Sequence, residues 1–332
     1  MNFQASIPRR TVVRLASLGC LLTVQRVWAT ESPDAWPSRP LRLIVPYAAG
    51  GNADATARAL ASQLAEKLGQ PVLVDNRPGA SGSIGAAAVA KASADGYTLL
   101  LDATAFAVNP ILMPKLTYRG PADFAPLSLL TRAPLLLVVP VNSPFRSVAD
   151  LVRFAKANPG KLSYASAGNG GAQHLAGELF KQTAKVSITH IPYRGGAPAL
   201  TDLIAAQVDL MFSAISASGP LVRAGKLRAL AIAATQRAEA YAQVPTLAEQ
   251  GYADVEVAEW NGLLAPAATP TPILARLESE IRALATGPVL SRRWTEMGVQ
   301  GMGTNAAEFS RFLTQENQRW SRVIKTAGIQ LE

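Results

Sequence analysis

Thiol and imidazole chemistry have little material in this chain of 332 residues, which carries one cysteine, Cys20, and two histidines, His174 and His190. A lone cysteine closes no internal disulfide, and two isolated histidines without a carboxylate at ligand spacing make no metal site. No serine sits in a Gly-x-Ser-x-Gly elbow; Ser81 in Gly79-Ala80-Ser81-Gly82 comes nearest and lacks a base at hand. Aromatic residues make up only 6%, and the basic residues Lys156, Lys161, Arg194, Arg223, Lys226 and Arg228 are scattered rather than striped among them. That pattern argues against nucleic acid as a partner. After residue 30 no apolar run approaches the about 20 residues that a membrane span needs. With 49% hydrophobic and 17% charged residues, the expectation is a folded, soluble mature protein.

The first thirty residues stand apart. Arg9, Arg10 and Arg14 precede an apolar stretch from Leu15 to Val24, and Val27-Trp28-Ala29 offers small residues for cleavage. This is the grammar of a secretory signal peptide over residues 1–29. Lipoprotein anchoring at Cys20 is disfavoured, because Ser17 occupies a position that normally takes leucine. Cleavage would remove Cys20 and four of the 32 basic residues but none of the 23 acidic ones, so the net charge of +9 would fall to +5. A modest positive field mildly favours anionic ligands.

Glycine and small polar residues are what the chain has, and they are concentrated. Three short apolar strands each run into a nearly uncharged, glycine-rich loop that opens a helix. The loops are Ala49-Gly50-Gly51-Asn52-Ala53-Asp54, Asn76-Arg77-Pro78-Gly79-Ala80-Ser81-Gly82-Ser83 and Ser166-Ala167-Gly168-Asn169-Gly170-Gly171. A helix start has about four backbone N–H groups without partners and roughly half a positive charge. Three such starts converging would suit one anionic ligand.

Strand and helix patterns alternate along the rest, which predicts parallel sheets under right-handed crossovers. Helices are expected over Asp54–Leu68, Ile84–Ala92, Ser147–Asn158, Gly171–Lys181 and Ala197–Ala206. Ser147 and Asp150 make a capping pair, and Asn305 with Glu308 caps a last helix running to about Thr326. Leu135–Pro140 and Gly262–Pro266 look like extended crossings between two lobes, with a hinge near Val139 and Leu264. Lobe one is then 36–137 plus 262–332, and lobe two is 138–261. The fold class expected is α/β, two lobes joined by a hinge of two crossing segments with a cleft between them.

Several residues invite a chemical role. Gly168-Asn169-Gly170-Gly171 after a strand imitates a dinucleotide fingerprint, but the third glycine is misplaced and Pro192-Tyr193-Arg194 replaces the acidic ribose ligand. His174 lies within reach of that loop, whereas His190 reads as structural. Asp54 reads as a structural cap, Glu178, Glu278 and Glu280 as solvated, and Tyr47 and Trp260 as either cleft or core.

Ordered motifs carry a family resemblance from Trp36 to Ile329. Among them are Pro37-Ser38-Arg39-Pro40-Leu41-Arg42-Leu43-Ile44-Val45-Pro46, Asp75-Asn76-Arg77-Pro78-Gly79-Ala80, Asp95-Gly96-Tyr97-Thr98-Leu99-Leu100, Tyr164-Ala165-Ser166-Ala167-Gly168-Asn169-Gly170, Pro192-Tyr193-Arg194-Gly195 and Gly225-Lys226-Leu227-Arg228-Ala229-Leu230. The chain resembles the Bug/TctC solute-binding proteins of tripartite tricarboxylate transporters. The resemblance implies a two-lobed periplasmic binding protein of the type II, Venus-flytrap kind, its lobes closing on a small carboxylate held by backbone amides, hydroxyls and waters. It carries the ligand-binding role to Tyr47, Gly51, Ala80, Ser81, Gly82, Ser83, Thr104, Ser166, Asn169, Gly170, His174 and Tyr193. Ser213 joins these ligand-binding candidates at a position where many relatives carry an acidic residue, and Ala48-Ala49 replaces a pair of prolines.

The expectation is a periplasmic, monomeric, non-enzymatic receptor without cofactor or metal. It would bind a small organic acid and pass it to integral membrane transporter subunits. Two alternatives stay open: a secreted α/β enzyme holding a phosphate-bearing cofactor at the Gly168 loop, and an orphan solute sensor.

Overall fold

The computed structural model describes residue 1, residues 36–327 and residue 329; the signal peptide and Cys20 lie outside the described residues. Among the described residues there are ten strands and ten α-helices, in alternation as far as β8. The strands are β1 (Leu41–Val45), β2 (Val72–Asn76), β3 (Thr98–Ala103), β4 (Phe124–Pro140), β5 (Ser163–Ser166), β6 (Thr189–Pro192), β7 (Leu210–Ala214), β8 (Leu227–Ile232), β9 (Ala258–Pro266) and β10 (Gln300–Gly301). The helices are α1 (Asn52–Leu68), α2 (Ser83–Ala90), α3 (Thr104–Leu112), α4 (Val148–Ala157), α5 (Ala172–Ala184), α6 (Gly196–Ile204), α7 (Ile215–Arg223), α8 (Thr271–Ala285), α9 (Pro288–Glu296) and α10 (Ala306–Ala327).

A single sheet in the order β2-β1-β3-β9-β4-β7-β5-β6 links two halves through β4, with β8 and β10 also pairing to it. Each half keeps the expected parallel strands: β2-β1-β3 in one, β7-β5-β6 in the other. The sheet is nevertheless mixed, because β4 and β9 run antiparallel to all their partners. The two apolar runs expected as bare crossings are thus paired strand. Leu135–Val138 pairs with β7, and Gly262–Pro266 lies inside β9 against β3 and β4. Along β4 the partner changes at Pro134/Leu135, from β9 to β7 and β8.

Local sequence explains the elements. In α1 the buried Ala53, Ala57, Leu60, Ala61, Leu64 and Leu68 follow the helical repeat, and Gly69 ends the helix at φ +66°. At α4 the capping pair forms as expected: Ser147 Oγ accepts from Asp150 N at 3.1 Å and Asp150 Oδ2 from Ser147 N at 3.1 Å. Asn305 and Glu308 do the same at α10. Buried Leu135–Val139 of β4 belong to a core that spans both halves, while Ile44, Leu100, Phe106, Trp260 and Phe309 form a second cluster. Trp260 is therefore core; its indole N–H donates to the buried Glu316 at 3.0 Å.

Candidate functional site

Five helices begin at one cleft between the halves. Gly51, Asn52 and Ala53 at the start of α1, Ala103, Thr104 and Ala105 at α3, Gly171, Ala172 and Gln173 at α5, Gly196 at α6, and Ser213 and Ala214 before α7 all line it. None of the five has a side-chain cap, and only α1 has an acidic residue in its first turn. The exception, Asp54, folds back onto Gly50 N at 2.9 Å and pairs with Arg58 at 3.0 Å, the structural role expected of it. Five sets of N-terminal amides thus face a space whose own side chains supply almost no charge. The cavity holds about 560 Å³ of empty volume, solvent at its mouth included.

Of the residues anticipated from sequence, Tyr47, Gly51, Ser81, Thr104, Asn169 and Ser213 line this cavity. Ala80, Gly82 and Tyr193 line an adjoining shallower cleft that shares Tyr47, Ser81 and Asn169 with it. The turn between them is held in an unusual backbone: Ala80 and Ser81 both have positive φ, +43° and +52°, and Asn109 Nδ2 anchors the Ser81 carbonyl at 2.9 Å. Non-glycine residues in this region are costly and cluster at functional sites.

Four anticipated residues lie elsewhere. Ser83 is the first residue of α2, outside both clefts. Ser166 is fully buried, its Oγ 2.7 Å from His190 Nε2 and bonded to both N and O of Gly168. His174 accepts from Gly170 N at Nδ1, 3.0 Å, and stacks on His190 with ring centroids 4.1 Å apart. Burial holds both imidazoles neutral, His174 at about 4 and His190 at about 3. The pair braces the loop from behind. Gly170 faces α3 of the other half, where a Cβ would stand 2.9 Å from Val108 Cγ1.

Two carboxyls sit in or beside the cavity. Tyr47 Oη and Ala103 N both donate to Asp102 Oδ1, at 2.8 and 2.7 Å. Burial outweighs these bonds and raises Asp102 to about 7. Glu259 of β9, which the sequence reading passed over, lines the cavity directly. Its Oε1 accepts from Asn52 Nδ2 at 3.0 Å and its Oε2 from Gln173 Nε2 at 2.5 Å, and burial raises it to about 7 as well. Ser216 Oγ donates to Asn52 Oδ1 at 2.5 Å, so Asn52 and Glu259 are bonded from both halves. The available signal was an acid directly before the uncharged run 260–266. Glu178, expected in solvent, accepts from Tyr164 Oη and Lys181 Nζ, both at 2.7 Å.

Comparison with known proteins agrees with this architecture. Residues 56–329 match the model of the tripartite tricarboxylate transporter family receptor. Protein BugT of Bordetella pertussis is 35% identical over 320 residues, spanning 96% of this chain and 98% of that protein. The solved structure of R. palustris Rpa4515 with adipate is 38% identical with a TM-score of 0.86, covering 89% of this chain and 99% of that one. MatC from Rhodopseudomonas palustris with bound malate is 33% identical with a TM-score of 0.83, covering 87% and 100%. Matches of this length, over the halves and the cleft alike, mean that the chain belongs to the tripartite tricarboxylate transporter receptor family, the Bug/TctC solute-binding proteins, and has their two-lobed fold.

Proposed function

We propose that this chain is an exported receptor that captures a small organic carboxylate in the cleft and delivers it to integral membrane subunits of a tripartite transporter. The observation that carries this reading is the convergence of five uncapped helix starts on one space. An anionic group there accepts hydrogen bonds from amides that nothing else in their helices satisfies. Thr104 supports it further: its Oγ1 is fully buried, lacks a hydrogen-bond partner and belongs to a cavity-lining residue. Adipate and malate, bound by the two relatives above, are ligands of the same class.

In this reading Tyr47, Gly51, Ser81, Thr104, Asn169 and Ser213 contact the ligand, with Ala80, Gly82 and Tyr193 at its mouth. Ser83, Ser166, Gly170 and His174 shape the loops. The hinge falls at Pro134/Leu135 and before Ala258, since Ala258–Asn261 pairs with Thr131–Pro134. Lobe one is then 36–134 with 258–327, and binding shifts the population toward closed lobes. The protein acts in the periplasm as a monomer.

A thermal-shift screen of small organic acids tests the proposal, because a ligand bound only by the native state raises Tm by mass action. Stabilisation by one or more carboxylates is expected. If nucleotides or phosphorylated compounds shift the transition and no carboxylate does, the reading fails.

A further inference from the structure

Glu259 is the one carboxylate among the described residues lining the cavity, and no lysine, arginine or histidine joins it there. Its two oxygens are held by amide nitrogens from opposite lobes, Asn52 of α1 and Gln173 of α5. Asn52 is itself oriented, with Oδ1 accepting from Ser216 Oγ and Nδ2 also donating to Asn261 Oδ1 at 2.8 Å. Glu259 therefore serves as an acceptor on both sides, and each oxygen keeps a second lone pair. The cavity has two characters: amide donors from the helix starts, and one acidic acceptor.

We propose that Glu259 sets ligand selectivity, admitting carboxylates that carry an ammonium or hydroxyl donor at the end that meets it and excluding those that present a second carboxylate there. This rests on the carboxylate-receptor reading above. A donor meeting Glu259 makes a charge-assisted hydrogen bond in a site largely closed to water. A second carboxylate meets a like charge at low effective dielectric.

Glu259 titrates near 7 because it is buried, so the selectivity depends on pH. Above that value it is ionised and favours donors; below it, the protonated carboxyl donates and tolerates a second carboxylate. The other titratable groups on elements packed around it leave this assignment intact. Tyr47 stays protonated well above neutral pH, and His174 on α5 is neutral. Asp54 on α1 is paired with Arg58, and Glu316 of α10 bonds to Trp260 and Trp320. Arg132 of β4 stands opposite Trp260, not Glu259. Asp102 also titrates near 7 but is bonded to Tyr47 and Ala103 and is not part of the cavity lining.

Calorimetric titration of the purified mature protein with matched acids tests this: succinate, malate and aspartate as one set, propanoate, lactate and alanine as another. Donor-bearing members should bind about ten- to a hundredfold tighter than the plain acid, the range of one hydrogen bond to a charged group. Glu259→Gln, which keeps the shape, should reduce that preference to within about threefold and tighten succinate. In the wild type the preference should grow between about one pH unit below and one above 7, and it should stay flat in Glu259→Gln. Gln173→Ala, which loosens the same clasp but leaves the carboxylate, should retain it. Carboxylate binding with no donor preference, or with a preference flat across that pH range, overturns this inference alone. The absence of binding by every acid in a broad screen overturns the receptor reading and takes this inference with it.

Discussion

Replacing Gly170 by alanine separates lobe closure from local folding. Gly170 lies between β5 and α5 at φ +71°, and an added Cβ would stand 2.9 Å from Val108 Cγ1 and 3.2 Å from Leu112 Cδ1, both on α3. Two effects follow. The left-handed backbone costs alanine about 1–2 kcal/mol whether the lobes are open or closed. The contact lies between the two halves, so under the proposed closure it is made only in the closed form. Carbon atoms prefer about 3.5–4.0 Å, so the seam must part by roughly 0.5–1 Å, and such overpacking costs about 1–3 kcal/mol. Affinity for a carboxylate that stabilises the wild type should therefore fall about five- to 150-fold, while the protein stays folded.

Calorimetric titration with circular dichroism melting measures both terms. Val108→Ala provides the control, because it removes the nearest carbon of α3 and leaves the backbone strain untouched. Gly170→Ala should regain affinity in that background without regaining the lost stability. Wild-type affinity in Gly170→Ala, or an equal loss with and without Val108, would show that the bound form does not close to this distance.

Other outcomes are expected. N-terminal sequencing of the periplasmic fraction should start near Thr30, and recovery of intact Met1 protein from the cytoplasm alone would contradict export. Ser166→Ala should lower stability by about 1 kcal/mol, through lost bonds to His190 and Gly168, and change affinity by less than about twofold. Two opposed titrations act on the unliganded protein between about pH 4 and 7: His174 and His190, neutral in the folded state, add stability as pH rises, and Asp102 and Glu259 remove it. Asp102 and Glu259 hold their protons in the folded state up to about 7, against 3.8 and 4.5 for ordinary Asp and Glu, so at these two sites the unfolded chain binds fewer protons across that window. In melting scans Asp102→Asn should gain stability relative to the wild type as pH rises from about 4 to about 7, and a difference flat across that window would place the titration elsewhere.

The alternation of strand and helix was legible because amphipathic helices such as α1 and α4 carry a 3.6-residue repeat and clear stop signals. Helices α3, α7 and α9 were not. Pro110 and Pro220 interrupt the first two, and most of α3 is buried all round, so it has no polar face to mark a period. Strand β4 hid for a related reason. Pro126, Pro134 and Pro140 argue against a central strand, yet the chain keeps its ladder by shifting register between Pro126 and Ser128 and between Leu129 and Thr131. The neutral loops of the cleft were readable from composition. Glu259 was not, because its partners Asn52 and Gln173 are 207 and 86 residues away.

Glycine in these loops serves a purpose that a sequence cannot separate from ligand approach. A Cβ on Gly195 would lie 2.9 Å from Ala48 N, one on Gly51 3.7 Å from Gly196 N, and one on Gly168 3.3 Å from Ser81 Oγ. Each neighbour belongs to the opposite lobe, and Ala48 N also donates across the seam to Arg194 O at 3.1 Å. The loops that aim amides into the cavity are thus the ones on which the lobes meet. Bulk added there opposes closure before it touches a ligand, so affinity lost in a loop variant is not by itself evidence of a lost ligand contact. Glu259 meets the ambiguity in another form, because Asn52 and Gln173 clasp it from opposite lobes. It stands on β9 beneath the seam, and replacing it by the isosteric glutamine alters charge without adding volume. Selectivity is separated from closure there by Gln173→Ala, which loosens the same clasp and keeps the carboxylate, a comparison that the loops do not offer.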